Sequence, residues 1–192
     1  REAADMVLVD DNFANIVAAI REGRGVFDNI RKFLTYILTS NIPEIVPYLA
    51  FVLLQIPLPL TILQILAVDL GTDIVPALGL GAEPPEPDVM ARPPRSSRRG
   101  LVDRALLGRA YLFLGPFEAA GALAAYFFVL RTGGWRWGDT LAADVPLYRQ
   151  ATTACLTAIV VMQMVNVYLC RSERASVTAR RLADNRLIVL GL

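Results

Sequence analysis

Residues 33–54 read FLTYILTSNIPEIVPYLAFVLL and, after the link QIPLP at 55–59, residues 60–80 read LTILQILAVDLGTDIVPALGL. Each run reaches the roughly 20 apolar residues that a helix needs to cross about 30 Å of hydrocarbon. Polar groups nevertheless interrupt both: Ser40, Asn41 and Glu44 in the first, Asp69, Thr72 and Asp73 in the second. An acid in the middle of a bilayer costs on the order of 2.5–3.5 kcal/mol, so Glu44, Asp69 and Asp73 together cost roughly 8 to 10. Something must offset that.

Spacing suggests what. Ser40 and Glu44 are four residues apart and Asn41 and Glu44 three, so all three side chains fall on one helical face, and Asp69, Thr72 and Asp73 repeat the pattern. The uncharged, proline-rich link folds the two runs into an antiparallel hairpin. At 1.5 Å per residue, Glu44, Asp69 and Asp73 then lie roughly 18, 15 and 21 Å from the turn, at one level near the bilayer centre. Aspartates at i,i+4 repel when ionised, so the arrangement is unfavourable unless protons or cations sit between them. Neutral acids in a structural hydrogen-bond network are the alternative.

Prolines sharpen the cation reading. A proline inside a helix leaves the carbonyl four residues back without its donor, so Pro43, Pro47 and Pro76 free the carbonyls of Thr39, Pro43 and Thr72, and Gly71 loosens the chain beside the aspartates. Carbonyls, hydroxyls and carboxylates make an all-oxygen ligand set, suited to sodium, potassium or calcium and not to soft transition metals. Broken membrane helices around a midplane site recur in transporters.

Working outward, runs at 106–130 and 151–169 complete four spans, and 187–192 begins a further one. Lys and Arg collect on the cytoplasmic side of membrane proteins. Of 19 such residues, 16 lie before the first span, between the second and third, or after the fourth; Arg131, Arg136 and Arg149 alone lie between the third and fourth. Both ends are thus expected in the cytoplasm. Before the membrane, Met6-Val7-Leu8-Val9 suits a buried strand, Asp10-Asp11-Asn12 a helix cap, and Phe13, Ile16, Val17 and Ile20 recur at helical spacing. Residues 1–25 read as the strand-helix end of a cytoplasmic α/β domain, and 26–192 as a mainly α, polytopic transmembrane bundle. Composition agrees: 55% of residues are hydrophobic, and the mean hydropathy is +0.46. With no histidine, the usual Ser-His and Cys-His catalytic pairs are excluded, and a net charge of +1 gives no electrostatic case for nucleic acid.

Other features carry open alternatives. Gln163 and Asn166, three apart on the fourth span, are either ligands or interhelical glue. Glu118, beside Gly115 and Pro116, is either a fourth site carboxylate or a packed, protonated acid. Cys155 and Cys170 receive no function. The basic stretch from Arg92 to Arg109 reads as topology signal and lipid-headgroup contact, with a coupling or regulatory role as the alternative, and Trp135 and Trp137 read as interfacial anchors.

The residues also resemble a family. Ala3-Ala4-Asp5-Met6-Val7-Leu8-Val9-Asp10-Asp11-Asn12-Phe13 resembles the end of the phosphorylation domain of P-type cation ATPases. Phe27-Asp28-Asn29-Ile30 with Thr39-Ser40-Asn41-Ile42-Pro43-Glu44 is similar to the family's fifth membrane helix, and Val68-Asp69-Leu70-Gly71-Thr72-Asp73 with Val75-Pro76-Ala77 to its sixth. Arg92-Pro93-Pro94-Arg95 resembles the loop to the seventh, and Gln163 to Cys170 and Leu187 to Leu192 resemble the eighth and the start of the ninth. The resemblance implies that Asn41, Glu44, Asp69, Thr72 and Asp73 bind the transported ion. Asp69, where reticulum-type calcium pumps usually carry Asn, places the chain nearer the sodium-potassium branch, and Ser40 departs from the Lys of stomach-type proton-potassium pumps. Asn166 stands where the sodium-potassium pump has Asp, which departs from its third sodium site.

The implied role is the ion-binding and coupling half of a cation pump of bacterial plasma-membrane type, favouring a monovalent ion. A calcium pump, or a membrane scaffold without transport, is the alternative. No Asp-Lys-Thr-Gly phosphorylation motif is present, so the chain is expected to bind only the transported cation, with ATP and Mg handled by the missing N-terminal part of the intact protein. The short external stretch between the third and fourth spans implies no accessory subunit.

Overall fold

The computed structural model describes residues 12–95, 100–172 and 185–191, and all regular structure among them is helical. The strand expected at Met6–Val9 and the cap residues Asp10 and Asp11 lie outside the described residues. Asn12 precedes the N-cap position, Phe13, and its Oδ1 accepts the Ala14 N–H at 3.0 Å. Helix α1, Ala14–Ser40, then runs unbroken for 27 residues, through the charged stretch and into the first span.

Four helical units are long and apolar enough to cross a membrane: Ala14–Leu54, Ile62–Gly81, Arg104–Thr132 and Pro146–Cys170. Three are interrupted, and sequence explains where. The first breaks at Asn41, two residues before Pro43, and resumes as α2, Ile42–Leu54. Gln55, in a left-handed conformation (φ 52°), ends α2. Thr61 and Gln64 form a reciprocal capping box that starts α3, Ile62–Val68. A wide π turn at Asp69–Asp73 follows before α4, Ile74–Gly81; Pro76 within α4 cannot supply the N–H that would close the turn behind it. The third span holds α5 (Arg104–Gly108), a second π segment at Arg109–Leu114 ahead of Pro116, and α6, Gly115–Thr132. The fourth, α7, Pro146–Cys170, is continuous, and α8, Arg186–Gly191, packs on α4.

Gly115 is required where it stands. The third span crosses the break in the first there, and a Cβ on Gly115 would lie 2.6 Å from Ile42 Cγ1 and 2.9 Å from the Ala110 carbonyl.

The buried apolar residues fall into two clusters. One gathers Ala50, Ile56, Val68, Ala122 and Ile159 toward the uncharged link; Tyr126 donates from its hydroxyl to the Pro57 carbonyl there at 2.6 Å. The other gathers Tyr36, Ala77, Leu114 and Val167 toward the charged end. Along every span the polar residues sit between members of the two clusters: Ser40 and Glu44 between Tyr36 and Ala50, Asp69 to Asp73 between Val68 and Ala77, Glu118 between Leu114 and Ala122, Gln163 between Ile159 and Val167. The bundle is layered, with a polar stratum at mid-depth.

At the charged end, ion pairs tie the loop after α4 to the helices. Arg171 Nε meets Glu83 Oε1 at 2.7 Å with both side chains buried, and Arg31 pairs with Asp103 at 2.9 Å. Arg92 binds Asp28 at 2.6 Å, Asp88 at 2.6 Å and also Glu86, which lies 3.6 Å from Lys32. The stretch read as lipid contact thus contains a hub of ion pairs fastened to α1. Burial works against the Glu86 charge, but Lys32 and hydrogen bonds from Arg92 and Ser172 outweigh it and hold that carboxyl below its ordinary range. Of the two tryptophans, Trp137 is exposed while Trp135 is buried and donates from Nε1 to the Asp139 carbonyl at 2.9 Å, because the 133–145 connection folds back over the bundle.

Candidate cation site

The broken first span and the π turn of the second face each other at mid-depth. Carboxylate oxygens of Glu44, Asp69 and Asp73 lie within 4.8 Å of one another, from α2 and from both ends of the π turn. The wide turn brings the two aspartates to one side, as a spacing of four residues already favoured. Ser40 donates from Oγ to Asp73 Oδ2 at 2.7 Å, and Thr72 Oγ1 lies 2.6 Å from Gln163 Oε1. No Lys or Arg among the described residues pairs with any of the three acids. Three carboxylates converging without a fixed counter-charge, with the Ser40 hydroxyl on one of them, offer the all-oxygen chemistry that a hard cation would need.

The family described as "Cation transporting ATPase, C-terminus" matches residues 57–192. The chain belongs to the P-type cation-transporting ATPases. This ATPase chain is 39% identical to sodium/potassium-transporting ATPase subunit alpha-4 of Rattus norvegicus and to subunit alpha-3 of Homo sapiens, and 40% identical to subunit alpha-2 of Pongo abelii. Each match covers all of this chain and 21% of the relative, so the chain spans about a fifth of the length of the curated relatives it matches.

Not every residue expected at the ATPase's site enters it. Glu44, Asp69, Asp73 and Ser40 come together, while Thr72, in the same π turn, directs its hydroxyl to the Val68 carbonyl and Gln163. Asn41 does not join them: it is exposed at the helix break, and its amide donates back to the Ile37 carbonyl at 2.7 Å, because the break turns it off the face it would share with Glu44 in an unbroken helix. Nor is the Thr39 carbonyl left open by Pro43; the Asn41 N–H takes it. Gln163 Oε1 accepts from the Thr72 hydroxyl across the helices, while its Nε2 has no partner. Glu118 is buried, away from the three converging oxygens.

One participant escapes the sequence reading. Tyr36, fully buried, donates from its hydroxyl to the Thr72 carbonyl at 2.9 Å, the carbonyl that Pro76 frees, and lies 3.4 Å from Asp73 Oδ1. Its signal was available: it sits four residues before Ser40 on the same face, and the carbonyl needed a donor.

Proposed function

We propose that this ATPase chain is the ion-binding and coupling region of an ATP-driven cation pump, and that its cargo is a monovalent cation, sodium or potassium. The convergence of Glu44, Asp69 and Asp73 carries the reading. With no tethered ammonium or guanidinium at the cluster among the described residues, the counter-charge on this reading is one that arrives and leaves, as transport requires. Ser40 supplies a neutral oxygen beside it, and Asn41 lies at the hinge of the broken helix instead of among the ligands. Asp69 in place of the Asn usual in calcium pumps favours the monovalent ion. Calcium is the second reading, favoured by the number of carboxylates.

On this reading, residues 1–25 close the phosphorylation domain, residues 26–192 form the membrane domain, and the unbroken α1 carries movement from one to the ligands. ATP and Mg are handled by parts of the protein beyond this chain. Basic residues gathered on one side of the spans support a reading with both ends in the cytoplasm, and the membrane on this reading is a bacterial plasma membrane. The relatives named above are alpha subunits by name. The expectation of no accessory subunit here is carried only by the short 133–145 connection.

The test uses the full-length protein. ATP hydrolysis is expected to rise with sodium or potassium, and Glu44→Gln and Asp69→Asn are each expected to abolish that rise. Stimulation by micromolar calcium in place of the monovalent ions would exchange the cargo; unchanged stimulation in both variants would remove the site. Absence of any phosphorylated intermediate would favour a scaffold without transport.

A further inference from the structure

We propose that the cavity between α1 and the loop after α4, at the charged end of the bundle, binds a phosphomonoester through the guanidinium groups of Arg24 and Arg95. The site stands apart from the polar stratum and does not depend on which ion the carboxylate trio takes.

The cavity measures about 640 Å³, the size of a small-molecule site, and five of its wall residues are basic: Arg24, Arg31, Lys32, Arg92 and Arg95. Three of them are already answered by acids. Asp103 meets Arg31, Glu86 meets Lys32, and Arg92 is enclosed by Asp28, Glu86 and Asp88. Neither Arg24 nor Arg95 pairs with an acid among the described residues. Arg24 donates from Nη1 to the Val89 and Arg92 carbonyls at 3.0 and 2.9 Å, which fixes it against the loop, while its Nε and Nη2 make no hydrogen bond among the described residues. Arg95 reaches back from the loop and lies over the Phe27 ring, 3.5 Å from its centre. A guanidinium stacked in this way keeps its edge donors free. Arg24 and Phe27 are three residues apart on α1, so both guanidinium groups are anchored within one turn of a single helix face.

Charge sets the ligand. The other basic wall residues are neutralised, so the surplus is two positive charges, and two arginine forks match the three acceptor oxygens and nearly two negative charges of a phosphomonoester. A singly charged phosphodiester or a carboxylate leaves one guanidinium unanswered. Ile20 and Pro93 give the wall an apolar side for the organic part of the ester. Phe27 precedes Phe33, where the first apolar run begins, by six residues, roughly 9 Å along α1. That is just beyond a headgroup layer about 5–7 Å deep, a height that a lipid with a terminal phosphate and a soluble glycerol phosphate both reach. A bound ester joins α1 to the loop more firmly than Arg24 does alone, and so gives movement of α1 a point of regulation.

The experiment follows modification of individual arginines by phenylglyoxal in the full-length protein, read by peptide mass spectrometry. The protein sits in nanodiscs of phosphatidylcholine alone, with phosphatidic acid or phosphatidylglycerol added to the lipid, or with glycerol 3-phosphate added to the solution. At about tenfold excess over Kd, phosphatidic acid or glycerol 3-phosphate should slow modification of Arg24 and Arg95 about tenfold. Arg21, exposed on the same helix and outside the cavity wall, should be unaffected. Protection by phosphatidic acid alone assigns the ester to the membrane; protection by glycerol 3-phosphate assigns it to the cytosol. Arg95→Gln should weaken the protection of Arg24 about tenfold. Gly23→Leu keeps both arginines and abolishes protection by filling the cavity; a Cβ there meets nothing within 4 Å, so this variant tests the site even if Arg95→Gln disturbs the loop. Unprotected arginines in the unsubstituted protein overturn the proposal. So does equal protection of Arg21, or phosphatidylglycerol acting as strongly as phosphatidic acid, since either reduces the effect to general surface charge. Cation stimulation of ATP hydrolysis reads the trio and not this cavity, so the pump reading fails or stands separately.

Discussion

Acids occur in two settings in this bundle, and their partners differ. At the charged end, Glu83, Glu86, Asp28 and Asp103 each meet an Arg or Lys, and the pairs fasten loop to helix. At mid-depth, Glu44, Asp69, Asp73 and Glu118 meet no basic side chain among the described residues, although burial makes a counter-charge more necessary there. Acids with tethered counter-charges hold the structure; on the proposed function, acids without them hold a mobile cation. The two regions should therefore respond to neutralisation with opposite sign.

Arg171 provides the largest expected effect. Arg171→Ala removes the guanidinium facing a fully buried Glu83 side chain and should cost about 3–5 kcal/mol, read as a fall in thermal stability in detergent. Replacing both residues by Leu should recover most of the loss, and an equal loss in the double variant would show that packing, not charge, is at stake. At mid-depth the sign reverses. Glu44→Gln relieves repulsion and should raise the stability of cation-free protein by on the order of 1 kcal/mol. It should also remove the stabilisation by added cation, about 2.7 kcal/mol at a hundredfold excess over Kd. A variant destabilised without cation would place Glu44 with the structural acids and erase the contrast.

The four spans were legible in the sequence because length and hydropathy decide membrane crossing, and Glu44, Asp69 and Asp73 because each carries a cost no apolar run tolerates without reason. The prolines announced where helices break. They did not announce how each freed carbonyl is satisfied: Tyr36 covers Thr72, and the Asn41 N–H covers Thr39, and both depend on how the chain turns at the break. Asn41 was misplaced for the same reason, since its assigned face assumed a helix that continues. The hub at Arg92 was hidden because ion pairs across about 60 residues leave no local pattern, so a basic loop reads as topology alone.

Packing at the break offers the next test, smaller in energy. Gly115→Ala drives a methyl into Ile42 and the Ala110 carbonyl and should cost about 1–3 kcal/mol. Ile42→Ala alongside, which removes the Cγ1 contact, should return part of that loss. Because the clash lies at the hinge that orients Glu44, apparent cation affinity should fall with it. Unchanged affinity would show that the break is held by its prolines without help from the third span.

Glu86 gives the smallest effect and the clearest sign. Its folded carboxyl lies below the ordinary Glu value of 4.5, with burial outweighed by Lys32 and by hydrogen bonds from Arg92 and Ser172. Its stabilisation is therefore fully present above that ordinary value and is lost as pH falls through the lower folded one. Glu86→Gln should lower stability at neutral pH by on the order of 1 kcal/mol or less, given the partial exposure of Arg92. It should also flatten the acid limb of a plot of melting temperature against pH. The same substitution should leave cation stabilisation intact, because Glu86 answers to tethered charges at the loop. A Glu86→Gln protein that lost its response to sodium or potassium would mean that the clasp and the polar stratum act as one unit, and that α1 transmits between them even at rest.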